Sequence, residues 1–263
     1  MKIILPSVQI INPFEQFITD DKFLELYVNH CERQARKSHR SEDLIKEGSA
    51  QKLLNFIVMQ KGDFSVIEHA SVTVDFTVDR GVTHELVRHR IASYTQESTR
   101  FVNYEKKMPP RFIYPQVKGD LALQCAFCLG GGDEPYKGNV RIGNSAWRMA
   151  WMHKNDSECL YDSDWLDAIA ECEDKYRALL AKKWRPQEAR SVFPNALAAD
   201  IGCTMNMRGW RHILLMRTTE EAHPQIEQMM TRLLNMFKDS PWGWLFEDVE
   251  SGRKQAISIA RMR

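Results

Sequence analysis

Two arginine-rich stretches hold most of the side chains that could do chemistry. The first reads Arg88-His89-Arg90-Ile91-Ala92-Ser93-Tyr94-Thr95-Gln96-Glu97-Ser98-Thr99-Arg100. Cationic groups at a helix end, then hydroxyls and backbone donors closed by another arginine, have the makeup of an anion cradle. Compensation of the helix dipole accounts for one or two of these charges but not for the return to Ser98 and Arg100. Clustered guanidinium groups repel one another without an anion, and each charge-assisted hydrogen bond to a phosphate contributes about 1.5–3 kcal/mol. A phosphate-bearing ligand and a solvated charge run both account for the charges; only the first uses the whole stretch.

The second set lies in the C-terminal half: Arg190 in Gln187-Glu188-Ala189-Arg190, Asn206-Met207-Arg208, then Arg211, His212 and Arg217. Arg208, Arg211 and His212 are three and four apart and share a helix face, and Arg217 can reach the same region. Trp210, Ile213, Leu214, Leu215 and Met216 crowd the same helix with apolar bulk. That composition predicts a mostly buried element whose charges are paired or liganded.

Other constellations fail on geometry. His84 and His89 are five apart where a zinc-protease helix needs four, so the second is rotated by about 100°. Cys125, Cys128, His153 and Cys159 match no common zinc-finger spacing, and the cysteines read as loop thiols, so no metal is expected. Gly130-Gly131-Gly132 neither follows a strand nor opens a helix, and no phosphate-loop lysine motif occurs. Ser98 has no histidine fixed beside it by sequence and reads as a phosphate contact, not a nucleophile.

The elements that must position these residues follow from periodicity. The first ten residues read as a short strand, and Thr19-Asp20-Asp21 caps a helix with Phe23, Leu24, Leu26, Tyr27 and Cys31 on its apolar face. A second helix covers 50–60 and stops at Gly62. From Ser71 to Asp79 the period changes to two, with Val72, Val74, Phe76 and Val78 on one face of a strand. Arg80-Gly81 is a turn, Thr83 caps a short helix through Arg90, and a polar loop follows. Residues 109–164 form a long excursion. Helices resume near Asp164, at Pro186, over 207–217 and over 224–237. The pattern gives an α/β (α+β) fold, one domain over residues 1–263 with a mixed or antiparallel sheet flanked by helices, and an insert of unknown role at about 117–160.

Composition excludes several classes. The 36 Lys+Arg nearly balance 35 Asp+Glu, a net charge of +1, so no whole-molecule charge argues for nucleic acid or membrane. A core is affordable with 43% hydrophobic residues and seven tryptophans. Six scattered cysteines, an N-terminus broken by Pro6, Ser7 and Gln9, and no run near ~18 apolar residues point to a cytoplasmic protein with reduced thiols.

The motifs also carry a resemblance. Arg88-His89-Arg90, seven residues and then Ser98 resembles the signature of the flavin-dependent thymidylate synthases. Glu68-His69, Asp79-Arg80-Gly81-Val82, Glu85-Leu86-Val87, Gln187-Glu188-Ala189-Arg190 before Phe193-Pro194-Asn195, and Asn206-Met207-Arg208-Gly209-Trp210-Arg211-His212 to Arg217 are similar to further family blocks, in family order. The resemblance spans about residues 60–245.

It implies a homotetramer with FAD at subunit junctions, methylating dUMP to dTMP with methylenetetrahydrofolate as carbon donor and NADPH as reductant. By the same resemblance Ser71, Arg88, His89, Arg90, Gln96, Asn206, Met207, Arg208 and His212 would contact FAD. Glu85, Leu86, Val87, Arg88, Gln96, Glu97, Ser98, Thr99, Arg100, Arg190 and Arg217 would hold dUMP. Arg217 would be catalytic, stabilising the ionised uracil N3 as a permanent cation. No cysteine sits in a Pro-Cys-His setting, so a thiolate route has no candidate. Two departures stand out: many members carry Asn-Glu where this chain has Thr95-Gln96, and Asn where it has His212. Alternative readings are a flavin-dependent modification of another pyrimidine nucleotide such as dCMP, and a non-enzymatic nucleic-acid-binding module, which lacks the net charge and interleaved aromatics to support it.

Overall fold

The computed structural model describes residues 2–105, 109–114, 138–140, 148–150 and 163–252. The chain forms two compact units, one of residues 1–6, 77–84 and 96–200, the other of 7–76, 85–95 and 201–263. Strand pairing is mixed. No helix among the described residues is long and apolar enough to cross a membrane.

In the first unit, β1 (Lys2–Ile4) runs parallel to β5 (Arg111–Ile113), with Lys2 opposite Arg111. The single N-terminal strand expected from sequence is two, β1 and β2 (Ser7–Ile11), because Pro6 between them has no N–H for a ladder. The core gathers Tyr104, Phe112, Ile169, Tyr176, Ala189 and Leu197. Helix α4 (Ser163–Ala181) contributes Ile169 and Tyr176, and Tyr176 stacks on Phe193 at 4.5 Å between centroids. Helix α5 (Pro186–Ala189) starts on Pro186 as expected; Arg185 N–H donates to Glu188 at 3.1 Å and closes its first turn. Within the excursion, β6 (Gly138–Val140) and β7 (Arg148–Ala150) pair antiparallel. Cys125, Cys128, Gly130-Gly131-Gly132, His153, Cys159 and most of the 117–160 insert lie outside the described residues.

Helix α3 (Arg80–Leu86) begins three residues earlier than the expected Thr83 cap. Asp79 supplies the cap: its Oδ1 accepts the Val82 N–H at 2.8 Å, as expected for a carboxylate at a helix N-terminus. Thr83 is an interior residue whose hydroxyl donates to the Arg80 carbonyl at 3.0 Å.

The second unit holds most of a four-stranded sheet in the order β2-β3-β8-β4, with β3 at Ser71–Asp79, β4 at Ser93–Gln96 and β8 at Ala198–Asn206. Strand β3 has the predicted bounds, and Val72, Val74 and Phe76 are buried on one face. Thr73 and Thr204 meet by their hydroxyls at 2.8 Å, a cross-strand pair of β3 and β8. Strand β4 stands where the sequence reads as a polar loop, and β8 was not legible at all. Its buried residues are Ala198, Ala199, Ile201, Cys203 and Met205, of which only Ile201 carries strong strand propensity.

Helix α1 (Asp20–Lys37) starts on Thr19, which accepts the Lys22 N–H, and buries Phe23, Leu24, Val28 and Cys31, leaving Leu26 exposed. Helix α2 (Ser49–Leu54) continues as a π-helical segment over Asn55–Gln60. The chain then turns at Gly62, whose φ of 77° suits a residue without a Cβ. Helices α6 (Met207–Arg217) and α7 (Pro224–Lys238) fall where the sequence places them, to within a residue. Trp210 anchors α6: its indole N–H donates to the Val72 carbonyl at 3.0 Å, and its ring lies 6.4 Å from Phe76 and 6.3 Å from Phe237.

Candidate functional site

Each unit carries its own polar cluster. In the second unit, Glu85 and Leu86 close α3, and the chain leaves the helix through Arg88-His89-Arg90. The helix ends at Leu86 and not at Arg90 for a local reason. The Tyr94 hydroxyl lies 2.7 Å from both the Leu86 and the His89 carbonyl oxygens, and Ile91 adopts a left-handed φ of 67°. A β-branched residue is strained in that region, and the hydroxyl on two carbonyls holds the turn against it. Burial is the first cause of a raised Tyr94 pKa, followed by Cys203, so the phenol stays a donor. Burial also pushes Cys203 up to about 12, which makes it a packing group and not a thiolate.

That turn presents His89 to Arg217 at the end of α6. The Arg217 Nε–H donates to His89 Nε2 at 3.0 Å, and Arg217 Nη1 to Glu85 Oε2 at 3.1 Å. A guanidinium can only donate, so His89 Nε2 is an acceptor and the imidazole is neutral. The surroundings agree: burial first, then Arg217 and His212, lower the His89 pKa from 6.5 to about 4. Two of the five guanidinium N–H donors are thus engaged, and the others are open among the described residues. Arg88 and Arg90 are exposed, with no side-chain partner among the described residues.

A hollow of about 210 Å³ lies beside α6, lined by Phe64, Arg208, Arg211, His212 and Leu215. Arg208, Arg211 and His212 therefore face one space, as their spacing predicts. Their commitments differ. Arg211 is buried, bonded in two places to Asp248 at 2.8 and 2.7 Å and to the Leu245 carbonyl, so it serves the fold. Arg208 meets Glu68 at 2.6 Å with both side chains close to half exposed, and an ion pair so solvated contributes at most ~1 kcal/mol and yields readily to a ligand. His212 is exposed. Phe64, 6.0 Å from the Arg208 and Arg211 guanidinium carbons, is a lining residue that no sequence pattern marks. Asn206 caps α6 through Oδ1, which accepts the Gly209 N–H at 2.8 Å. Met207 is buried with its N–H on the Ala70 carbonyl, whereas Ser71 is exposed at the head of β3.

The first unit carries the other cluster. After Gln96 the chain turns through Ser98, whose Oγ accepts the Arg100 N–H at 3.3 Å and whose carbonyl accepts from Phe101 and Val102. Arg190 bonds to the Thr99 hydroxyl and, at 3.2 Å, to the Gln187 carbonyl; Arg100 Nε donates to Gln187 Oε1, also at 3.2 Å. Thr99, Arg100 and Arg190 are thereby brought together on one loop and one short helix. Glu97 turns elsewhere: its carboxylate takes the Tyr104 hydroxyl and the Arg111 guanidinium, each at 3.0 Å. Arg111 continues to Asp200 at 2.8 Å, and that guanidinium with the Thr77 hydroxyl lowers the Asp200 pKa against the effect of burial. This half-buried network, open to solvent at Asp200, ties down the base of the loop that carries the cations beyond it.

Comparison with known proteins decides the family. Residues 17–240 match the family described as "Thymidylate synthase complementing protein". The chain belongs to that family. A protein of Corynebacterium diphtheriae named flavin-dependent thymidylate synthase is 33% identical over 195 residues, 74% of this chain and 67% of the relative. The chain thus spans about two thirds of that relative's length. Among solved structures, the fold resembles PolB of Streptomyces cacaoi, a UMP/dUMP methylase bound with 5-Br dUMP. There the TM-score is 0.63 at 18% identity, covering 97% of this chain and all of PolB. Thymidylate Synthase X of Helicobacter pylori, solved with FAD and dUMP, gives 0.58 at 18% identity, covering 84% of this chain and 93% of that one. Those two likenesses are of fold. Membership of the thymidylate synthase complementing protein family rests on the sequence match.

Proposed function

We propose that the chain is a flavin-dependent thymidylate synthase that methylates dUMP reductively to dTMP, with methylenetetrahydrofolate as carbon donor, NADPH as reductant and FAD as cofactor, giving tetrahydrofolate. Both compact units then belong to one synthase domain, which works as a cytoplasmic homotetramer. The observation that carries this reading is Arg217, held by Glu85 and a neutral His89 with donors to spare.

The residues fit FAD. An aromatic side chain, the solvated Arg208 and an exposed histidine around one hollow suit a ligand that joins flat rings to a pyrophosphate. At about 210 Å³ the hollow falls below the ~300 Å³ of a complete small-molecule pocket, so it takes one part of the cofactor, and neighbouring subunits supply further walls. Arg208 and His212 would hold it, with His89, Arg88, Arg90, Ser71, Asn206 and Gln96 as further contacts. When bound, the flavin supplies hydride delivery and carriage of the one-carbon unit.

The protein's own part is charge and position. Arg217 is cationic at every working pH, so it stabilises negative charge on the uracil ring after the N3 proton leaves, and that charge makes C5 nucleophilic. Neutral His89 fixes the guanidinium plane without competing for the anion. Ser98, Thr99, Arg100 and Arg190 receive the substrate phosphate through charge-assisted hydrogen bonds. Tritium release from 5-labelled dUMP in the presence of FAD, NADPH and methylenetetrahydrofolate tests the reading. Release from dCMP in its place would move the assignment to another pyrimidine nucleotide.

A further inference from the structure

The side-chain amide of Gln96 has an orientation imposed on it. Gln96 Nε2 lies 2.9 Å from Thr83 Oγ1, and Thr83 Oγ1 lies 3.0 Å from the Arg80 carbonyl oxygen. Thr83 is fully buried. A carbonyl oxygen cannot donate, so the single hydroxyl proton of Thr83 is spent on Arg80. The Thr83 oxygen then has only lone pairs to offer Gln96, and the end of Gln96 that meets it must be the NH₂. A flipped amide would set oxygen against oxygen, or draw the hydroxyl proton off Arg80 and lose one hydrogen bond. Gln96 Oε1 is therefore the free end, and it has no partner among the described residues.

We propose that Thr83 is a positioning residue that sets the polarity of Gln96, so that Gln96 presents an acceptor to the imide N–H of a bound ring. The inference rests on the ligand assignments made above for Gln96. Both proposed ligands carry an imide N–H, the uracil ring of dUMP and the flavin ring of FAD. A carboxylate at this position would offer acceptors in any rotamer, whereas a glutamine offers one only if something fixes which end faces out. Thr83 does that from inside the helix, and no sequence motif marks it.

The polarity and the ligand contact are tested separately. In ligand-free protein labelled with ¹⁵N, the Gln96 side-chain amide is expected to show one proton protected from exchange with water. That protection should be lost in Thr83→Val and kept in Thr83→Ser. Binding of dUMP and of FAD is then measured by calorimetry on the same proteins. Thr83→Val is expected to weaken one of the two about two- to tenfold, the worth of one hydrogen bond, with Thr83→Ser restoring it; the ligand that responds is the one whose imide Gln96 reads. Thr83→Ala removes the hydroxyl without the bulk of valine and serves if the valine variant does not fold. An unprotected amide in the wild type, or wild-type affinity for both ligands in a folded variant without the hydroxyl, overturns the proposal. If the wild type binds neither ligand, the functional reading fails, and the role of Thr83 toward an imide is overturned with it even where the amide is protected.

Discussion

His89 and Arg217 sit so that the chemistry of one depends on the protonation of the other. The His89 pKa is lowered from 6.5 to about 4, so between those values the unfolded chain binds a proton that the folded chain does not. Stability linked to His89 therefore falls as pH drops from about 6.5 toward about 4 and is level above that window. A ring titration followed by NMR, with thermal melts across the same range, should show both effects, and replacing His89 with glutamine should remove them. At Arg217, lysine keeps the charge but loses the planar, two-sided contact with His89 and Glu85. Arg217→Lys is expected to lose at least about tenfold in turnover, the worth of one charge-assisted bond, with flavin binding retained. In the other cluster, Arg190→Ala should weaken dUMP binding by about 1.5–3 kcal/mol, read by calorimetry. Ser98→Ala should cost about 1 kcal/mol and leave flavin reduction intact; a covalent nucleotide adduct on Ser98 would refute its role as a phosphate contact.

At the scale of elements, α3 is the joint on which Glu85 depends, and its cap is Asp79. Asp79→Ala is expected to lower stability by about 1 kcal/mol, measured by urea unfolding. Much of this scale was legible in the sequence: the strict alternation over Ser71–Asp79, the Thr19 cap, the Gly62 stop and the two C-terminal helices. The misses share a cause. Strand β8 has only Ile201 and Thr204 as strong strand formers among Ala198, Ala199, Asp200, Gly202, Cys203, Met205 and Asn206, and β3 and β4 pair with it on either side, so its neighbours and not its own propensities define it. The early end of α3 depends on the Tyr94 hydroxyl, a contact across eight residues that periodicity cannot register. The arginines of the site were readable one by one, but their commitments were not. Only the structure separates Arg211, tied to Asp248, from Arg208 beside it.

For the whole molecule, a net charge of +1 leaves little long-range pull on polyanions, so the clustered arginines act only locally. Binding to duplex DNA or to anionic vesicles is expected to be undetectable at about 0.15 M salt, near which exposed charges are screened beyond ~8 Å. The fold and the family are set by comparison, and the reaction is the step beyond them. Turnover of dUMP by the purified protein supplied with FAD, NADPH and methylenetetrahydrofolate addresses that step most directly. Formation of dTMP with release of tritium from the 5 position, from a protein that retains a flavin, is the expected result. Failure to bind flavin, or release of label from dCMP and none from dUMP, would contradict it.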